Sequence, residues 1–392
     1  MFGLARLLLA ACVVLLVACS GAAPSTPAPG QSRERSAAAQ PAAPQGEAQP
    51  ARNNYDAPAW QALIAAARQE GKLVLASSPT PETRRKLPAA FKERFGIEVE
   101  YLGGRSSDLQ TRLRGERSSG VYTVDVIVGG ADTSASMYRE GWFAPIRPLL
   151  VVPEVQDPTV FRNNRLPFLD PDEQTMFELE TSVSGAWVVN PELVSESELR
   201  TLDDLLNPKW KGKISVEDPT VPGQGQNAAV YVYLRKGEDF FTRLFVDQQP
   251  AISRDDRQMQ DWLARGTYPI SLGLSPTDVD AMLEQGLPAQ IVVPPDAVGY
   301  VLGGFSIMAT FDTVPHPNAA KLFVNWMASP EGVAVHAEAE EQMPQRKDVP
   351  HPWVRDYQVP KEGVDYINLY DYRFIAGPKA DINRRIREIM GQ

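Results

Sequence analysis

Leu73-Val74-Leu75-Ala76-Ser77-Ser78-Pro79-Thr80 is the stretch that decides the fold. A short, continuous apolar run predicts a strand covered on both faces, as in a parallel sheet. The hydroxyl-rich turn after it leads into Thr80-Pro81-Glu82, which starts a helix carrying Phe91 and Phe95. Pro88 lies inside that helix and predicts a kink. Toward the C-terminus the unit repeats. Ile97, Val99 and Tyr101 alternate with Glu98 and Glu100 as a second strand, which ends at Gly103-Gly104-Arg105-Ser106-Ser107, where a helix with Leu109 and Leu113 begins. Val124-Asp125-Val126-Ile127-Val128 is a third strand, ending in Gly129-Gly130-Ala131-Asp132 ahead of a helix over 134–140. Toward the N-terminus, Asp56 and Pro58 start a helix with Trp60, Leu63, Ile64 and Ala67 on one side, closed by Gly71. The order βαβαβ with short turns implies an open α/β sheet, and such sheets take ligands beyond the carboxyl ends of their strands.

The pattern continues less regularly. Residues 145–175 are Pro-rich; strands are expected near 186–190, 214–216, 270–274, 290–293 and 305–309. Helices are expected over 199–206, 228–235, 238–247 and 255–264, and one carries Ala319, Leu322, Phe323, Trp326 and Met327. Ser275-Pro276-Thr277-Asp278 has the form of a capping box. There is no internal repeat.

The N-terminal end has a different character. Arg6 precedes the apolar run of 7–18, which is shorter than the roughly 20 residues a bilayer span needs. Residues 1–18 therefore read as a signal peptide. Leu16-Val17-Ala18-Cys19 resembles the bacterial lipobox, whose Cys carries lipid, and Ser20, not Asp, follows it. The two cysteines, Cys12 and Cys19, both lie in this segment, so the folded region forms no disulfide or thiolate metal site. Two or more acyl chains on Cys19 would make a stable anchor. Residues 19–54, rich in Pro, Ala, Ser and Gln, predict a disordered tether. The remaining chain, from residue 55 onward, is large enough for two lobes. A net charge of −10 argues against nucleic acid as a partner.

Two further stretches carry a family resemblance. Leu202-Asp203-Asp204-Leu205-Leu206-Asn207-Pro208-Lys209-Trp210-Lys211-Gly212-Lys213-Ile214 with Asp218-Pro219, and Pro317-Asn318-Ala319-Ala320-Lys321-Leu322-Phe323-Val324-Asn325-Trp326-Met327 with Ser329-Pro330-Glu331-Gly332, resemble periplasmic solute-binding proteins of the ferric-iron-binding type. The residues themselves read as structural: Pro208 stops a helix, Trp210 packs, and Gly212 turns the chain into a strand. The resemblance implies a two-lobed type II periplasmic-binding-protein fold of the α/β class, each lobe a mixed sheet flanked by helices, joined by two crossing strands. Lobe 1 would comprise 55–180 plus 304–345, and lobe 2 181–303 plus 346–392, with crossings near 184–189 and 303–305. It also implies a small-molecule solute held between the lobes and handed to an ABC permease. The protein would be an exported, membrane-anchored lipoprotein facing the periplasm or cell exterior, a monomer without cofactor.

Ferric-binding members hold iron with adjacent tyrosines after the strand that corresponds to 270–274. Here that position reads Leu274-Ser275-Pro276-Thr277. Tyr231 and Tyr233 are two apart on a helix and cannot face each other. No metal site is expected; iron held by non-standard ligands remains an alternative. The expected strand ends offer Ser77, Ser78, Thr80, Arg105, Ser106, Gly130, Asp132, Gln226, Ser275 and Thr277 as ligand-binding residues. Helix starts favour anions, but each supplies only about 0.3–2 kcal/mol, whereas micromolar affinity needs about 8 kcal/mol. Arg105 is the first candidate for the remainder, by paired hydrogen bonds to a carboxylate or phosphate, and Arg254 the second. The expected solute is therefore an organic anion.

An exported hydrolase or a sensor on the same scaffold is the competing reading. The sequence has no Gly-x-Ser-x-Gly, Walker loop or HExxH, so no catalytic residue is assigned. His316, His336 and His351 are expected in loops or at the surface, and the pairs Asp170/Asp172 and Asp278/Asp280 as caps and turn residues.

Overall fold

The computed structural model describes residues 55–392 except Ala186, Ala297 and Glu362. The signal peptide, Cys19 and the tether lie outside the described residues. The chain runs α1 (Pro58–Glu70), β1 (Lys72–Ser77), α2 (Pro81–Phe95), β2 (Glu98–Gly103), α3 (Ser106–Ser118), β3 (Val126–Gly129), α4 (Ala131–Arg139), β4 (Phe143–Ala144), α5 (Pro153–Gln156) and β5 (Phe177–Glu178). After β6 (Ser182–Ser184) come β7 (Trp187–Val189), β8 (Ile214–Glu217), α6 (Gln224–Thr242), β9 (Ala251–Ser253), α7 (Asp256–Ala264), β10 (Ile270–Leu272), α8 (Pro276–Glu284) and β11 (Gln290–Val292). The return is made by β12 (Tyr300–Leu302), β13 (Ile307–Phe311), α9 (Pro317–Ala328) and α10 (Pro330–Ala339). The chain closes with β14 (Ile367–Asn368), α11 (Tyr372–Ala376) and α12 (Lys379–Ile389).

The expected βαβαβ unit forms the first sheet. Its order is β2-β1-β3-β13-β4, with β5 also paired to β13; β1 is parallel to β2 and β3, and β13 antiparallel to its neighbours. Alternate residues of β1 serve two cores. Leu73 and Leu75 pack with α1, α2 and α9 through Trp60, Phe91 and Trp326; Val74 and Ala76 pack with Leu109 and Leu113 of α3. Gly71 and Gly96 end α1 and α2 with φ of 81° and 71°, conformations that glycine adopts without strain. α2 continues as a helix through Pro88.

The second sheet has the order β11-β7-β10-β8-β9, in which β9, β8 and β10 are parallel and β7 is antiparallel to β10 and β11. Its core holds Trp187, Trp210, Ile214, Phe241 and Phe245. Trp210 is buried and Gly212 turns with φ 66°, as the sequence predicts. The helix expected over 199–206 is instead two 3-10 turns, Glu196–Glu198 and Leu202–Leu206. The Asp204 carboxylate accepts the Arg200 and Thr201 N–H groups and so starts the second turn inside the expected helix. The two helices expected over 228–235 and 238–247 are both present, separated by a break at Gly237 (φ 81°).

A third sheet, β14-β12-β6, holds the two places where the chain passes between the larger sheets, β6 to β7 and β12 to β13. The C-terminal segment contacts both sides. Arg346 and Val349 are buried with the first core, α11 sits on α4, and α12 packs on α6 through Ile386.

Candidate functional site

β1, β2 and β3 end side by side at Ser77, Gly103 and Gly129, and α2, α3 and α4 begin within a few residues of those ends. Their N-cap positions are Thr80, Arg105 and Gly130, and none of the three helices is capped by a side chain. The Ser106 hydroxyl accepts the Gly130 N–H at 2.9 Å and so ties the start of α3 to that of α4. The Ser78 and Thr80 hydroxyls lie 2.5 Å apart, the Thr80 N–H donates to Ser78 Oγ, and Thr80 and Thr83 both donate to Glu340. Ser77 is fully buried beside Tyr101, whose hydroxyl donates to the Ser78 carbonyl at 2.7 Å. Burial pushes the Tyr101 hydroxyl up to about 12, with the Ser77 hydroxyl partly opposing it. Arg105 is exposed and has no ion-pair partner among the described residues. Asp132 is held by Lys379, whose ammonium lies 2.8 and 2.7 Å from its two oxygens; the lysine is buried, while the aspartate side chain is half exposed.

The second sheet ends differently. The helix starts beyond its strands are closed by the chain's own oxygens. Glu217, the last residue of β8, accepts the Gly225 N–H in the first turn of α6. Asp255 accepts the Arg257 and Gln258 N–H groups of α7. Ser275 and Asp278 form the expected capping box of α8. Gln226 is buried in α6 and Thr277 is exposed on α8. Glu217 is enclosed by glycines: a Cβ on Gly225 would lie 2.1 Å from its carbonyl oxygen, and one on Gly223 2.7 Å from its carboxylate. Burial pushes the Glu217 carboxyl up to about 7, the Gly225 N–H partly opposes this, and Asp256, Asp278 and Asp218 add to it. Burial would also raise Asp218, but the hydroxyl and N–H of Thr220 and the Arg254 guanidinium, 2.7 Å away, hold it below its ordinary value.

Of the ten residues predicted from sequence, Ser77, Ser78, Thr80, Arg105, Ser106, Gly130 and Asp132 lie at the strand ends of the first sheet, and Gln226, Ser275 and Thr277 at those of the second. A cavity of about 50 Å³ borders β6 and β12, lined by Ser182, Ser184, Leu302, Gln224, Leu274 and Gln342 among others. None of the ten lines it, although Gln224 and Leu274 are close in sequence to Gln226 and Ser275. Gln342 Oε1 is buried there without a hydrogen-bond partner, an open position for a donor. Glu217, Glu340, Gln224 and Gln342 escaped the sequence reading. Only Glu217 had a usable signal, an acid at a strand end ahead of the Gly223-Gln224-Gly225 turn.

His316 and His351 lie in loops as expected, but His336 corrects the expectation. His336 is fully buried in α10 with Nδ1 on Glu180, and His316 Nδ1 lies 2.8 Å from the buried Asp125. Burial alone would lower the His336 pKa, but the Glu180 carboxylate outweighs it and raises it. Asp170 is a turn residue that accepts three backbone N–H groups. Tyr231 is buried against Tyr300 with its oxygen on the Gly299 N–H, and Tyr233 donates to Glu238, so the two do not share a site. Among the described residues no group of His, Cys, Asp and Glu is placed to hold a metal ion.

Two mixed sheets flanked by helices, joined by crossing strands and offering helix starts at their carboxyl ends, define the type II periplasmic-binding-protein class. The family profile of bacterial extracellular solute-binding proteins matches residues 86–361, and the chain belongs to that family, whose members bind solutes and are not enzymes. An uncharacterized protein of Haemophilus influenzae is 26% identical over 282 residues, covering 69% of this chain and 77% of its own. The fold is similar to iron-bound HitA from Pseudomonas aeruginosa (TM-score 0.62, 18% identity, 80% of this chain and 99% of that one). It is also similar to AfuA from Actinobacillus pleuropneumoniae with fructose-6-phosphate bound (TM-score 0.57, 20% identity, 82% and 99%).

Proposed function

We propose that this protein is the receptor of an ABC importer, held at a membrane surface by lipid on Cys19, which captures a small organic anion between two lobes and delivers it to a permease. The observation that carries the reading is the contrast between the sheets. The starts of α2, α3 and α4 are free of side-chain caps, whereas those of α6, α7 and α8 are occupied by Glu217, Asp255 and Ser275. An anionic group of the solute fits the first set, where no side chain caps the backbone N–H groups and Glu340 engages only the Thr80 and Thr83 hydroxyls. Three helix starts together supply about 1–6 kcal/mol, short of the roughly 8 kcal/mol of micromolar binding. The exposed Arg105 beside them is assigned the difference through a two-bonded contact to carboxylate or phosphate.

The polar remainder of the solute would face Gln224, Gln342 and the Glu217 carboxyl. The structure of AfuA carries a sugar phosphate, so a fold of this kind accommodates a phosphorylated organic molecule. The iron alternative is disfavoured by the separation of Tyr231 and Tyr233. The first lobe is proposed to comprise 55–180 plus 304–349 and the second 181–303 plus 350–392, the expected boundary at 345/346 moving because Val349 packs in the first core. Titration calorimetry of the folded region with a panel of organic acids and phosphate esters tests the reading. Binding at micromolar strength that weakens at least tenfold in Arg105→Ala is expected; heat only with Fe³⁺ or with a neutral sugar refutes it.

A further inference from the structure

A second cavity, of about 570 Å³, lies under the loop that follows Phe161 and is bounded on its other side by the segment from Pro360 to Asn368. Val301 of β12 lines it, whereas the neighbouring Leu302 lines the small cavity described above. Both spaces therefore adjoin the sheet that carries the crossings, with different lining residues.

Arg162, Arg165, Lys347 and Lys361 converge on this cavity, and none of them makes an ion pair with a carboxylate among the described residues. In a chain of net charge −10, four cations around one space whose described lining holds two carboxylates, Glu178 and Asp365, are a built feature. Arg162 shows the tension most clearly. Its Nε donates to the Pro344 carbonyl, its N–H to the Gln345 carbonyl, and burial alone lowers its pKa. A partly buried guanidinium without a counter-ion is costly, and the cost is relieved when an anion arrives. The loop is held in place for this. Asn163 and Asn164 both adopt left-handed backbone conformations, φ 59° and 50°, and Lys347 fixes the second through a 2.7 Å hydrogen bond to Asn164 Oδ1. Consecutive left-handed residues other than glycine persist only where their surroundings enforce them, and they concentrate at ligand sites. Of the two acids in the wall, Asp365 is exposed to solvent, and Glu178 is engaged by Gln345 Nε2 and pushed up to about 7 by burial, so it is only partly ionised at neutral pH.

We propose that this cavity is a second binding site, for a small oxyanion carrying two or more negative charges, held by Arg162 and Arg165 with Lys347 and Lys361 at its edge. The inference is independent of the solute assigned above, because it rests on different residues. Pyrophosphate and citrate are the probes, titrated at low ionic strength into the folded region carrying Arg105→Ala, which silences the front site. One-to-one binding of at least one probe is expected, reduced at least tenfold by adding Arg165→Glu and by adding Arg162→Gln. Arg165 is exposed and outside the cores, so its reversal leaves the fold intact, which circular dichroism checks. Absence of binding to the Arg105→Ala protein, or binding that Arg165→Glu leaves unchanged, overturns the proposal. Failure of Arg105→Ala to weaken the organic solute would instead count against the front site alone.

Discussion

Glu217→Gln is the perturbation whose outcome the geometry specifies most fully. The carboxyl sits at the end of β8 against the Gly225 N–H, enclosed by Gly223, Gly225 and Gly273. Burial moves its pKa from 4.5 to about 7. At about 1.36 kcal/mol per pH unit this is an upper limit near 3 kcal/mol, which its partial exposure reduces to about 2 kcal/mol. The sign follows from proton linkage. Below the unfolded value near 4.5 both states hold the proton and the contribution is complete. As pH rises toward 7 the unfolded chain has released the proton that the folded chain retains, and the stability is lost. Glutamine has the same shape, still accepts from Gly225, and does not titrate. Urea unfolding of wild type and Glu217→Gln at pH 5, 6, 7 and 8 measures the difference, in which all other titrating groups cancel. The variant should gain about 2 kcal/mol on wild type between pH 5 and pH 8. A difference that stays flat, or that falls with pH, would refute the reasoning.

Gly225→Ala places a methyl group 2.1 Å from the Glu217 carbonyl oxygen, so the start of α6 must move; a loss of about 1–3 kcal/mol in urea unfolding is expected. Arg346→Ala removes a buried side chain that donates to the Glu154 and Ala328 carbonyls, pairs with Asp348 and lies over the Phe161 ring, and should cost about 3 kcal/mol by the same assay. Arg254→Ala, by contrast, removes a side chain that is 65% exposed from its pair with Asp218 and should cost less than about 1 kcal/mol, with solute affinity unchanged in calorimetry.

The local parts of this architecture were readable in the chain. The continuous run at Leu73, the alternation at Ile97 and the turns after each strand placed β1 to β3 and the helices between them, because hydrophobic period and turn chemistry are set by near neighbours. The capping box at Ser275 was readable for the same reason. What stayed hidden depends on residues far apart in sequence. Lys379 meets Asp132 across 247 positions and His336 meets Glu180 across 156, and no spacing rule announces either pair. Glu217 is enclosed because β8 lies beside β10, so that Gly273 comes to rest on it, and that adjacency is a matter of topology. His316 and His351, which neighbour proline, lie in loops as expected; His336 does not, because Glu180 holds it inside the first lobe's packing. The split of the 199–206 segment came from the one carboxylate, Asp204, that captures two backbone N–H groups.

Native mass spectrometry of gently purified protein tests the central claim most directly, because a receptor that closes on its solute carries some of it through purification. The account predicts a mass excess of a small molecule that, once released by unfolding, ionises in negative mode as a carboxylate or phosphate compound. A mass excess of one iron, or of a neutral sugar, would contradict it.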